Sequence, residues 1–131
     1  KEPTAVYATG EIGKDSAVDE SSCIMMEFED GVKAVSFASL ASASRCEYKI
    51  VGEDGIIHVP AVFNKSGDIK IFVRKHDDSK EIVINCPDNY MLEVEQFGRC
   101  ILNGEQPLLS YEESYNNAKV IDAALEQIFK K

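Results

Sequence analysis

Hydrophobic residues recur at every second position as far as residue 86, a spacing typical of β-strands. In residues 22–29 the side chains of Ile24, Met26 and Phe28 therefore share one face of a predicted strand. The other predicted strands cover residues 4–12, 32–42, 46–52, 56–59, 68–74 and 80–85.

Turn-forming residues separate three pairs of these strands. Asp30-Gly31 has the residue types of a tight hairpin turn, and polar segments at residues 53–55 and 76–79 join the two later pairs. Strands joined by hairpins run antiparallel. The sequence therefore predicts a mostly antiparallel sheet.

The hydrophobic period lengthens to about 3.6 residues after residue 87, as in a helix. The first helical stripe comprises Tyr90, Val94, Phe97 and Ile101. Gly104 follows as a C-terminal stop, and a second helix is predicted to begin at Ser110, which forms a capping-box pattern with Glu113. The predicted fold class is α+β, an open antiparallel sheet with two C-terminal helices packed on one face.

The opposite face of the predicted sheet is poor in charge. A solvated face would carry more charged side chains than Lys70 and Arg74. Small and sulfur-containing side chains let a second flat surface approach closely, so we expect an interface with another subunit or domain. The alternative is a face covered by loops of the same chain. The candidate interface residues are Met25, Ala34, Ser36, Ala38, Leu40 and Phe72.

Length and composition narrow the class of protein. The 131 residues, 44% of them hydrophobic, fit one globular domain over residues 1–131. The net charge of −9 argues against binding to nucleic acid or to an anionic membrane, because both need clustered Lys and Arg. Four widely spaced cysteines favour free thiols over disulfides and hence a cytoplasmic location.

The residue patterns predict no catalytic, cofactor-binding or metal-binding residues. Asp54 and His58 have the spacing of a pair on one helix, but they fall in a predicted turn and a predicted strand. Residues 52–55 lack the third glycine of a dinucleotide fingerprint and the Lys of a P-loop. Residues 76–78 lack the further His or Cys ligands that zinc requires. The fragment alone is therefore expected to be catalytically inert.

Several segments nevertheless occur in a recognisable order. They include Val-Gly-Glu-Asp-Gly and a final Tyr-Glu-Glu-Ser-Tyr-Asn-Asn-Ala. The segments are residues 2–8, 18–20, 26–31, 50–57, 90–104 and 110–124. Together they resemble the C-terminal domain of the glucose-fructose oxidoreductase/inositol dehydrogenase family of NAD(P)-dependent oxidoreductases. The resemblance covers nearly the whole chain.

The resemblance implies that the nucleotide-binding and substrate-positioning motifs lie on a second domain. An N-terminal Rossmann domain carries the nucleotide fingerprint, a Glu-Lys-Pro motif and an Asp-x-x-x-His pair that positions the substrate. NAD or NADP is therefore expected in a longer protein and not in this fragment. The implied substrate is a sugar, a polyol or a related hydroxy or oxo compound, and the implied partners are the Rossmann domain and further copies of the chain.

The resemblance also identifies two candidate substrate-facing residues. Some sugar-converting members place a substrate-contacting tyrosine a few residues before the Val-Gly-Glu segment, where this chain has Ser44 and Arg45. A guanidinium can bind a carboxylate or a phosphate through two hydrogen bonds. The alternative is that Arg45 is a solvated loop residue.

Two functions remain open at this point. The chain is either the substrate and oligomerisation domain of a dehydrogenase or a free-standing binding module of the same fold with no redox role. The coding sequence upstream of Lys1 separates them, since only the first requires a Rossmann domain there.

Overall fold

The computed structural model describes residues 1–63 and 65–130. The chain forms two compact units. Unit 1 comprises Lys1–Ala43 together with the chain from Leu109 onward, and unit 2 comprises Ser44–Leu108. In chain order the elements are β1 (Ala5–Ile12), β2 (Asp19–Glu27), β3 (Lys33–Ser39), β4 (Tyr48–Gly52), β5 (Gly55–Val59), β6 (Gly67–Lys75), β7 (Asp78–Cys86), α1 (Asn89–Asn103) and α2 (Tyr111–Phe129).

The predicted α+β class, with antiparallel strands followed by two C-terminal helices, is confirmed, and the strands form two sheets. Within the described part of the chain, all pairs of hydrogen-bonded strands are antiparallel. They form a three-stranded sheet in the order β1-β2-β3 and a four-stranded sheet in the order β4-β5-β6-β7. The three predicted hairpin turns join β2 to β3, β4 to β5 and β6 to β7. In the first of them Gly31 has a φ of 82°, a conformation that glycine adopts without a steric penalty.

Unit 1 buries one side of α2 against its sheet. Ala124 and Ile128 are buried hydrophobic residues of the described chain, and both lie on α2. Gly10 allows the close approach of Ile128, because a Cβ at position 10 would lie 3.2 Å from the Cγ2 atom of that side chain. The core of unit 1 therefore lies between α2 and the sheet.

Gln127 joins α2 to the edge of the same sheet. Its Nε2 donates to the carbonyl oxygen of Val6 at 2.9 Å, and its Oε1 accepts from the N–H of Ala8 at 3.0 Å. Because β1 is an edge strand, these two backbone groups have no neighbouring strand to pair with among the described residues. The side-chain amide thus takes the place that another strand would occupy.

The register of unit 1 separates two groups of candidate interface residues. Met25 pairs with Val35, whereas Met26 pairs with Ala34, and paired residues of antiparallel strands project to the same side. The prediction that Met25 shares a face with the small residues of β3 is therefore wrong. Alternation assigns faces within one strand, but a shift of one residue in pairing exchanges the faces of the next. The small residues on the face opposite Met25 are Ala34, Ser36 and Ala38.

The predicted Gly104 stop of α1 and the predicted Ser110 start of α2 are both observed, and Asp88 caps the start of α1. In α1, the Asp88 side chain accepts from the N–H of Met91 at 3.2 Å, and Gly104 ends the helix with a φ of 69°. In α2, the predicted capping box forms, with the Ser110 hydroxyl accepting from the Glu113 N–H at 3.1 Å. These local hydrogen bonds explain why the sequence alone located both helices.

The environment of the cysteines agrees with the expectation of free thiols. All four are unpaired and partly buried. No helix within residues 1–63 and 65–130 is long and apolar enough to cross a membrane.

Candidate functional site

The two predicted substrate-facing residues lie at the start of unit 2, immediately before β4. Ser44 and Arg45 are both exposed. The Arg45 guanidinium is not isolated, because its Nε donates to the Oε1 atom of Glu47 at 2.9 Å and its Nη2 contacts the same oxygen. An incoming anion at Arg45 would therefore compete with an ion pair already present in the chain.

Glu47 is the centre of a small charged network on one face of the four-stranded sheet. Its Oε2 lies 2.8 Å from the Nε2 atom of His58, and its Oε1 lies 3.5 Å from the Nζ atom of Lys49. The pairing of Lys49 with His58 places β4 and β5 side chains next to each other on this face. Two strands and the segment before them therefore bring Arg45, Glu47, Lys49 and His58 together.

These contacts stabilise the ionised form of Glu47. The hydrogen bond from His58, followed by that from Arg45, lowers the pKa of the Glu47 carboxyl to about 2. A carboxylate in this state only accepts hydrogen bonds, so the Nε2 atom of His58 must be the donor. Glu47 thus holds its basic neighbours in place through hydrogen bonds and ion pairs, and its ionised carboxylate cannot donate a proton at neutral pH.

The lowered pKa of Glu47 gives a testable pH dependence. A carboxyl with a lower pKa in the folded state stabilises the protein above its ordinary pKa of 4.5, and this contribution is lost as the pH falls toward 2. Glu47→Gln should therefore lower the free energy of unfolding at neutral pH, with a difference from the wild type that shrinks between these two pH values. Urea unfolding followed by circular dichroism at several pH values measures it.

Glu53→Gln is the matched control, because Glu53 is exposed and has no ion pair within the described part of the chain. It should leave the acid dependence unchanged. A pH-independent difference between Glu47→Gln and the wild type would contradict the assigned role of the carboxylate.

Sequence reasoning missed this network. The only partner that spacing suggests for His58 is Asp54, a pair that the predicted turn and strand argue against, and in the structure the Oδ2 atom of Asp54 lies 3.4 Å from the Nζ atom of Lys75. Part of the network is visible in the sequence, because charged residues alternate at Arg45, Glu47 and Lys49. This alternation places all three side chains on one side of an extended segment. The partner on the adjacent strand depends on the register, which that alternation does not reveal.

The candidate interface residues fall in different surroundings. Met25 lies on the face of unit 1 opposite α2, beside the exposed Val35 and Phe37. Leu40 follows the end of β3 and is also exposed. Phe72 belongs to unit 2, where it pairs with His58 across β5 and β6. The structure thus assigns five of the six residues to two sheets and, within unit 1, to both faces of one sheet, while Leu40 lies outside the strands.

Solved structures share this fold. The 3-ketoreductase KijD10 from Actinomadura kijaniata, in complex with TDP-benzene and NADP, matches with a TM-score of 0.87 and 20% sequence identity over 94% of this chain and 40% of that chain. An aldose-aldose oxidoreductase from Caulobacter crescentus, complexed with glycerol, matches with a TM-score of 0.81 and 17% identity over 98% of this chain and 40% of that chain. This chain therefore spans less than half the length of either protein.

The sequence itself identifies the family. A comparison with curated proteins finds no match. The profile of the oxidoreductase family C-terminal alpha/beta domain matches residues 2–131. This match confirms the resemblance to the glucose-fructose oxidoreductase/inositol dehydrogenase family, and the chain belongs to that family as its C-terminal domain.

Proposed function

We propose that this chain is the substrate-side and oligomerisation domain of an NAD(P)-dependent oxidoreductase that acts on a sugar, a polyol or a related hydroxy or oxo compound. The family match over residues 2–131 carries the proposal. A 3-ketoreductase with NADP and an aldose-aldose oxidoreductase share the fold, which supports this choice of substrate and cofactor class. The chain alone is proposed to be inert, with the nucleotide held by a Rossmann domain of the same protein.

Exposed hydrophobic residues on α1 support the proposal that unit 2 packs against another domain. Val94, Phe97 and Ile101 lie along one stripe of the helix at spacings of three and four, and each is exposed. None of the described residues of α1 is buried. A stripe of this kind normally packs against another apolar surface. The Rossmann domain is the proposed partner.

The activity test compares this chain with the longer protein that contains it. The longer protein should reduce NAD or NADP with a hydroxy compound from a panel of aldoses and polyols, or oxidise NADH or NADPH with an oxo compound from a panel of ketoses and oxidised sugar derivatives. This chain should show neither turnover nor quenching of NADH or NADPH fluorescence on mixing. Nicotinamide binding by this chain, or a longer protein inert on the whole panel, would contradict the proposal.

Oligomerisation is proposed to use the face of unit 1 that carries Met25. Val35 is 70% exposed and Phe37 is 66% exposed on this face, and both lie on β3, which is an edge strand of its sheet. Burial of these side chains against a second copy of the chain would remove a large apolar area from water.

Arg45 and Ser44 remain proposed substrate-facing residues, now with Glu47 as the group that orients the Arg45 guanidinium.

Val35→Glu should abolish self-association through this face, because it would place a charge in a dry interface. Light scattering coupled to size-exclusion chromatography at micromolar concentration measures the mass. Val32→Glu is the control, since Val32 is also exposed but lies before the first residue of β3. A wild-type chain that stays strictly monomeric, or equal masses for wild type and Val35→Glu, would exclude this interface.

A further inference from the structure

A concave surface on the four-stranded sheet of unit 2 combines basic and aromatic side chains. Its volume is about 550 Å³, within the range of roughly 300–1,000 Å³ that small-molecule sites occupy. Two adjacent cross-strand rows line it, the first with Lys49, His58 and Phe72, the second with Ile56, Arg74 and Ser79.

The balance of charge in this concavity is positive. None of the described residues that line it is acidic, while Lys49 and Arg74 contribute two cationic side chains. Arg74 is exposed and has no ion pair within residues 1–63 and 65–130. Its five N–H donors are therefore available to a ligand.

The nearby carboxylates are already bound by other basic groups. Glu81, which pairs with Phe72 across β6 and β7, lies 2.9 Å from the Nζ atom of Lys70. Glu47 accepts from Arg45 and His58, and its contact with Lys49 is longer at 3.5 Å. These ion pairs leave the Arg74 guanidinium, and those donors of Lys49 that do not face Glu47, available to a ligand of opposite charge.

The apolar part of the lining lies next to the cationic part. Phe72 and Arg74 are two residues apart on β6, so their side chains project on the same side about 7 Å apart. Phe72 is partly buried, with its ring centroid 6.2 Å from that of His58, and Ile56 lies beside Arg74 in the second row. A ligand with an anionic group and an attached ring would meet complementary chemistry at both ends.

We propose that this concavity binds a small anionic molecule that carries a ring. Its phosphate or carboxylate lies between the Arg74 guanidinium and the Lys49 ammonium, and its ring lies against Phe72 and Ile56. Guanidinium groups bind both anions through paired hydrogen bonds, so phosphate and carboxylate share one recognition chemistry here. The test uses this chain alone, so its outcome is independent of the proposed oxidoreductase function.

The test is a titration of the isotope-labelled chain followed by two-dimensional NMR. Phenyl phosphate and benzoate carry the two anions on the same ring, inorganic phosphate lacks the ring, and benzyl alcohol lacks the charge. Phenyl phosphate or benzoate should shift the amide signals of Lys49, Phe72 and Arg74 and bind more tightly than inorganic phosphate or benzyl alcohol. The tighter of the two ring anions identifies the preferred anionic group.

Arg74→Gln should weaken binding of the preferred ligand at least about tenfold, as expected for loss of a charge-assisted hydrogen-bonded pair. Arg99→Gln is the matched control, because Arg99 is an exposed arginine of unit 2 on α1 that pairs with Glu105, and it should leave the affinity unchanged. Lys49→Gln provides a second variant if Arg74→Gln fails to fold.

Three results would overturn the proposal. They are no localised shifts with either ring anion, an affinity for benzyl alcohol or inorganic phosphate equal to that for the ring anions, and unchanged affinity in both Arg74→Gln and Lys49→Gln. Binding should also weaken as sodium chloride is added, because the contact is ionic.

Discussion

Replacement of Ile128 by Ala is expected to lower the free energy of unfolding by about 2–5 kcal/mol. Ile128 is 2% exposed, and its side chain is the largest fully buried one in the described chain. It contacts the sheet at Gly10, where no side chain of β1 separates helix and strand. Truncation removes apolar contacts and leaves a cavity that the rigid sheet cannot fill.

Ile121→Ala on the same helix is the matched control. Ile121 is 48% exposed, so the same truncation removes less buried surface and should cost clearly less. Urea unfolding at neutral pH followed by circular dichroism measures both variants. Equal losses for the two variants would show that α2 does not use the Ile128 side for packing.

Gly10→Ala is expected to destabilise the chain by about 1–3 kcal/mol, although it adds only one methyl group. The new Cβ would lie 2.5 Å from the carbonyl oxygen of Ser21 and 3.2 Å from the Cγ2 atom of Ile128. A backbone oxygen in a paired strand cannot rotate away, so β1 or α2 would have to move. Such a movement would also disturb the hydrogen bonds of Gln127 with Val6 and Ala8.

The same substitution at Gly98 should have the opposite sign. Gly98 lies inside α1, and apart from the neighbouring backbone of that helix, a Cβ there would meet no atom of residues 1–63 and 65–130 within 4 Å. Alanine in a helix interior is more favourable than glycine by roughly 0.5–1 kcal/mol, so Gly98→Ala should be stabilising. A destabilisation of similar size at both positions would refute the steric explanation for Gly10.

The two substitutions at glycine differ for a reason that the sequence does not reveal. Gly10 and Gly98 both interrupt an otherwise regular pattern, and the sequence alone does not distinguish their surroundings. The opposing strand and α2 make one of them sterically essential, while the other has open space beside it. Only residues far apart in the chain create this difference.

In the candidate site, too, the sequence reveals some of the residues, and the tertiary structure decides which of them meet. The alternation of Arg45, Glu47 and Lys49 is visible in the sequence, but His58 becomes the partner of Glu47 only because β4 and β5 pair in one particular register. The concavity around Arg74 likewise requires four strands, β4 to β7, to pair in register so that their side chains form adjacent rows. Motif searches fail there, because no short segment contains the complete site.

The sequence by itself determined the elements of this protein and its family. Periods of two and of about 3.6 residues located the strands and helices, and Gly31, Gly104 and Ser110 marked their turns and ends, because these features depend on neighbours in the chain. The tertiary structure decided which faces the strands present and which charges meet. The pairing register of β2 and β3 places Met25 and Ala34 on opposite sides of a sheet, and alternation along one strand does not reveal that register, because it is set by how the hairpin brings the two strands together.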